Sequence, residues 1–171
     1  MNPTPVPPHS PADVPAATAT NIASPAQRLQ SVLADFLDKT QAAFSLVLDR
    51  GGAILCQYGN LSGSTDNAIL AALAAGSFAA TKELAARLGE AEFNTLHHQG
   101  KNANILVSTV DDDAVLMTVF GPETTVGLVK FYSVGTVAYL AALLKEARTS
   151  PDSQVAVSRH DLTAVGNIFP Q

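Results

Sequence analysis

The chain has 171 residues, 47% of them hydrophobic, and a formal net charge of -5. That length fits one domain, two at most, with a core of useful size. Scattered basic residues argue against a nucleic-acid or anionic-membrane footprint. A single cysteine excludes an internal disulfide framework and a multi-cysteine zinc site.

The N-terminal stretch MNPTPVPPHSPADVPAATATNIA lacks the basic n-region and the continuous apolar h-region of a secretory signal. Nothing calls for an oxidising compartment, so a cytosolic protein is expected. Residues 1–23 are rich in Pro, Ala, Ser and Thr and nearly free of large apolar side chains. Such a segment buries too little surface to offset its ordering entropy and reads as a disordered tail. PTPVPP is also compatible with a polyproline II docking segment.

Order is expected from Ser24. SPAQ offers an N-cap serine, proline at the first helical position and Gln27 three residues on, a capping box. Leu29, Val32, Leu33, Phe36 and Leu37 repeat at helical spacing, which predicts a helix over about 25–40. Two short runs follow, Phe44–Leu48 and Ala53–Tyr58, joined by Asp49-Arg50-Gly51-Gly52. Strands joined this closely are antiparallel, and glycines supply the positive φ of a tight turn.

Residues 65–89 predict a long helix, capped by Asp66 or Thr65 and ended by Gly89. Ile69, Leu70, Leu73, Ala80, Leu84 and Leu88 share one side, read as core. The other side carries Ala71, Ala72, Ala75, Ala79 and Ala86 with Lys82 among them. A solvated face does not need alanine, whereas small side chains let a second helix approach, so this side is read as a self-association face. Alanine is also the best helix former, which is the alternative explanation.

Three strands are expected over about 92–99, 103–110 and 114–120, broken at GKNA and DDDA. FNTLHHQ is polar for a strand and suits a sheet edge, with Thr95 and His97 available to a partner. NILVSTV and AVLMTVF read as central strands. A last helix is expected over 121–147, with Glu123 near its positive end. Within it, the charge-free apolar run 131–144 is too short for a membrane span and reads as core. The domain is thus 24–148, followed by a flexible tail over 149–171. A five-stranded antiparallel sheet with three helices on its two faces covers its apolar surface.

Candidate chemistry is sparse. Cys56 has no local base and reads as a small buried thiol, with strict alternation placing Ile54, Cys56 and Tyr58 on one face. His97 and His98 are adjacent on a strand, point to opposite faces and cannot chelate one metal together. Asp111-Asp112-Asp113 lacks the ligand spacing of a calcium loop. No GxxxxGK[ST], GxGxxG or HExxH motif is present. The reading is a binding module without catalytic residues, cofactor or metal.

FSLVLDRGGAILCQYG, AILAALAAGSFAATKELAARLG, ANILVSTVDDDAVLMTVF and the closing YLAALLKEA, in this order, resemble the Roadblock/dynein light chain domain. The likeness covers about 27–147 and is nearest to the bacterial MglB-type members. The resemblance implies a profilin-like or longin-like α/β sandwich and dimers joined through the central helix and the third strand. It also implies a regulator that binds a small Ras-like (MglA-like) GTPase and modulates its hydrolysis without inserting an arginine finger. The long Pro-rich N-terminal segment departs from the family pattern, and the C-terminal one lacks an obvious basic or amphipathic helix. A tethering adaptor without effect on hydrolysis, and a sensory domain holding a small ligand, are the alternatives.

Overall fold

The structure is a computed structural model that describes residues 23–149, apart from 62, 64 and 92. The two expected tails lie outside the described residues except for Ala23 and Thr149.

Helix α1 spans Pro25–Thr40. Its capping box forms as the sequence predicts: the Gln27 amide donates to Ser24 Oγ (3.3 Å), and the Ser24 amide donates to Gln27 Oε1 (2.8 Å). Strands β1 (Phe44–Asp49) and β2 (Ile54–Gly59) make the first hairpin. Helix α2 (Asn67–Leu88) runs from an Asp66 cap, whose carboxylate accepts the Ala68 amide, to Gly89 in the left-handed conformation. Strands β3 (Thr95–Gln99), β4 (Asn104–Thr109) and β5 (Ala114–Phe120) follow, then helix α3 (Val126–Thr149). The last helix starts later than expected, because Gly121–Thr125 forms a turn and Thr125 Oγ1 accepts the Leu128 amide at 3.3 Å.

All pairings are antiparallel and the sheet order is β2-β1-β5-β4-β3. The polar third strand is therefore an edge, as expected. One sheet face carries α2 over Phe44, Leu46, Leu48, Val107, Val115 and Met117. The other carries α1 and α3 over Val47, Cys56, Leu106, Leu116 and Phe120. Alternation along β1 and β5 thus feeds two cores, one per face.

Strict alternation fails in β2. Leu48 pairs with Ile54 but Val47 pairs with Cys56, so Leu55 is the extra residue of a bulge. Ile54 consequently packs in the α2 core and Cys56 in the opposite one, correcting the expectation that they share a face.

By length and composition α2 and α3 are each apolar enough to cross a membrane, with mean hydropathy 1.3 and 1.5. The helix around the run 131–144 is thus longer than that run suggests. Both helices nevertheless bury a row against the sheet, α2 through Phe78 and four alanines and α3 through Val129, Ser133, Leu140, Leu143 and Leu144. That is the placement of core helices in a layered fold.

Candidate interaction surface

The turn at Asp49–Gly52 is built, not reactive. Asp49 Oδ1 accepts the amides of Gly51 (2.8 Å) and Ala53 (2.9 Å), an Asx turn that fixes the hairpin. Gly52 has φ 87° and lies so close to α2 that a Cβ there would stand 2.8 Å from Ala72 Cα. Glycine is thus required both by conformation and by packing. The Cys56 thiol is buried, and burial pushes its pKa up, away from the thiolate a nucleophile needs.

The three aspartates also resolve into a turn. Asp111 accepts the Asp113 amide (2.8 Å) through one oxygen and the Arg148 guanidinium (2.8 Å) through the other. Partial burial alone would raise the Asp111 pKa. The Arg148 hydrogen bond, the amides of Asp113 and Ala114 and the Arg148 charge outweigh it and hold the carboxyl below its ordinary value. His97 lies stacked over Phe120, ring centroids 6.1 Å apart, on the α1/α3 side. His98 lines a groove with Leu70 and Ile105 on the α2 side, so the two imidazoles part as expected. Among the described residues no three His, Cys, Asp or Glu side chains gather as a metal ion would require.

Helix α2 reverses the division of faces read from its sequence. Ala71, Ala74, Ala75, Phe78 and Ala85 are the buried residues, set against the sheet of their own chain. Ile69, Leu73, Leu84 and Leu88, expected in the core, are 59%, 63%, 59% and 71% exposed. The physical reason is spacing between layers. The sheet beneath already projects Phe44, Leu46, Leu48 and Met117, so a helix lying close over it must present small side chains. Ala71 and Ala75 therefore cannot meet a partner. Ala72, Ala79, Ala86 and Thr95 remain exposed. Lys82 and His97 are half-buried, and the Lys82 ammonium sits 5.6 Å from the Phe78 ring centroid. One signal for the true inward face was available: Phe78, the only aromatic of the helix, falls in the row of Ala71, Ala74, Ala75 and Ala85.

What remains outward on α2 is a row of large aliphatic side chains, with Gly76 and Ala80 between Leu73 and Leu84. A Cβ added at Gly76 would meet nothing within 4 Å. Beyond α2 the sheet ends in the exposed edge of β3. A cavity of about 180 Å³ lies beside the hairpin, lined by Phe78, Ala79, Lys82, Asp49, Arg50 and Val115. It is below the roughly 300–1,000 Å³ of ordinary ligand pockets. A long exposed aliphatic row is suited to protein contact, since monomers rarely leave such a patch bare.

Comparison with known proteins fits this geometry. Among curated proteins, none matches the chain in sequence. Among solved structures, MglB of Thermus thermophilus, a gliding protein, is 33% identical over 72% of this chain and 93% of its own, with a TM-score of 0.67. MglB of Myxococcus xanthus is 25% identical over 70% of this chain and 96% of its own, at 0.65. A further MglB structure, in a tetrameric arrangement, is 33% identical over 73% of this chain and 93% of its own, at 0.68. The Roadblock/LC7 domain of Streptomyces avermitilis, at 18% identity and a TM-score of 0.60, shares the fold. The Roadblock/LC7 domain model matches residues 28–120, from the first helix through the last strand, and the chain belongs to that family.

Proposed function

We propose that the protein is a non-enzymatic, cytoplasmic homodimeric regulator that binds a small Ras-like GTPase and modulates its switch state or hydrolysis. The observation that carries this reading is the outward face of α2. Ile69, Leu73, Leu84 and Leu88 are apolar, aligned and exposed on α2, and β3 leaves one edge of the sheet unpaired among the described residues. The twofold contact is formed by this row, flanked by Ala72, Ala79 and Ala86, with Thr95 on the β3 edge. Joining two α2 helices and two β3 edges gives a continuous platform large enough for a standard interface of about 800 Å² per partner. One asymmetric GTPase lies across it and uses both protomers, a ratio of two regulators to one GTPase. The likeness to MglB, at 33% identity, supports a GTPase as the partner. One MglB is tetrameric, and we assign this chain a second contact by which dimers pair.

Stimulation acts by ordering the GTPase's own catalytic groups. Arg87 is tied to Glu83 at 2.7 Å on the helix surface and Arg50 belongs to the hairpin turn, which supports a mechanism without an arginine finger. Turnover of the cognate GTPase should rise with the wild-type protein and equally with Arg50→Ala and Arg87→Ala. Collapse on either substitution would refute the finger-free mechanism. Unchanged turnover with intact binding would make the protein a tether.

A further inference from the structure

We propose that the outward face of α3 is the second self-association surface, an antiparallel helix pair related by a twofold axis near Val134 and Gly135. The proposal rests on the reading of an α2-mediated dimer and adds the contact that pairs two such dimers.

Four observations carry it. Phe131 and Val134 are 72% and 71% exposed on α3, and Leu128 and Tyr139 are 40% and 55% exposed, although Val134 borders a groove against β3 and β4 and Tyr139 one against α1. The spaces between them are held by Gly127, Gly135, Ala138 and Ala142. A glycine inside a helix is unfavourable unless close approach requires it. Yet a Cβ at Gly135 would meet nothing within 4 Å, so no neighbour among the described residues explains it.

The third observation identifies the occupant. In an isologous contact residue i of one copy meets j of the other and j meets i. An antiparallel crossing between Val134 and Gly135 sets the two most exposed large residues of α3 against small ones. Val134 faces Gly135 of the second copy, Phe131 faces Ala138, and Gly127 faces Ala142. The pattern is complementary to itself, which an unrelated partner does not require. Finally, the same register sets Lys145 opposite Thr124, next to the exposed Glu123, while Glu146, which falls opposite Glu123, is already paired with Arg28 of its own chain. Lys145 and Glu123 thus bring opposite charges near each other at both ends of the pair.

The span from Gly127 to Ala142 is about 24 Å at 1.5 Å per residue. A helix pair of that length buries on the order of 400 Å² per partner, about half a standard interface. Alone it is weak. Repeated twice between two dimers it gains from effective concentration.

The test is sedimentation velocity of the full chain over a concentration series reaching about 100 µM, where mass action favours assembly. The wild type should pass from dimer to tetramer. Gly135→Leu fills the hole and should raise the tetramer dissociation constant at least tenfold, with the dimer intact and the melting temperature unchanged or higher. Lys145→Glu and Glu123→Lys should each weaken the tetramer, and the double variant should restore it. A tetramer undiminished in Gly135→Leu overturns the proposal. So does a wild type that stays dimeric at every concentration, which leaves the α2 dimer standing. Gly76→Leu, on the α2 row, separates the two readings: if it leaves the dimer whole while Gly135→Leu yields monomers, the α2 reading fails and the α3 contact stands. Co-flotation with anionic lipid vesicles by a wild type that forms no tetramer, lost in Gly135→Leu, would assign the face to a membrane and also overturn it.

Discussion

Leu73 lies in the middle of the outward row of α2 and is 63% exposed. Burying that exposed part in a helix–helix contact contributes about 1–2 kcal/mol, since complete burial of a leucine side chain is worth about 1.5–3 kcal/mol. A twofold axis uses the residue twice, so Leu73→Ala should weaken dimerisation by about 2–4 kcal/mol, or roughly 30- to 1,000-fold in dissociation constant. The fold of one chain should lose no more than about 0.5 kcal/mol, the usual range for surface positions. Sedimentation equilibrium at low micromolar concentration reads the first effect, and denaturant unfolding of the monomeric fraction reads the second. Ala75→Glu makes the contrast. Ala75 is 8% exposed and belongs to the core between α2 and the sheet, so a carboxylate there should cost several kcal/mol and abolish the folded chain. An unchanged dimer in Leu73→Ala, or a folded and monomeric Ala75→Glu, would refute the assignment of faces.

Gly52→Val should destabilise by about 2–4 kcal/mol, because a β-branched residue resists positive φ and its Cβ would collide with the α2 backbone; thermal unfolding measures it. Cys56→Ala should lose about 1 kcal/mol of stability and no binding, read by denaturant unfolding and by partner titration. The Asp111 carboxyl sits below its unfolded value of about 3.9. Its tie to Arg148 therefore contributes above that pH and is lost as the pH falls through the native value. The stability difference between wild type and Asp111→Asn should shrink as the pH falls below the ordinary aspartate range through the depressed native value, as followed by melting temperature.

The order of elements was legible because local signals agreed with one another. Ser24, Pro25 and Gln27 fixed the first helix, the Asp49–Gly52 turn fixed an antiparallel pair, and the polarity of FNTLHHQ marked an edge. The bulge at Leu55 was not legible, since an extra residue leaves the composition of a strand unchanged. The faces of α2 are hidden from the sequence for a related reason. Ranking faces by hydrophobicity assumes the core lies within one chain, whereas the most apolar row here points away from it. Sheet side chains as large as Phe44 and Met117 decide which row fits beneath the helix, and no window confined to 65–89 contains them. The same limit hid the outward row of α3, whose Phe131 and Val134 read as core material in a helix apolar on most sides.

The central claim is that two copies together bind one Ras-like GTPase in a state-dependent way. Isothermal titration of the full-length protein with its cognate GTPase, loaded in turn with a non-hydrolysable GTP analogue and with GDP, tests it most directly. The account predicts one GTPase per two protomers and tighter binding of the GTP-like state by at least tenfold, about 1.4 kcal/mol. Absence of heat and of complex in both nucleotide states, with the dimer intact, would contradict it.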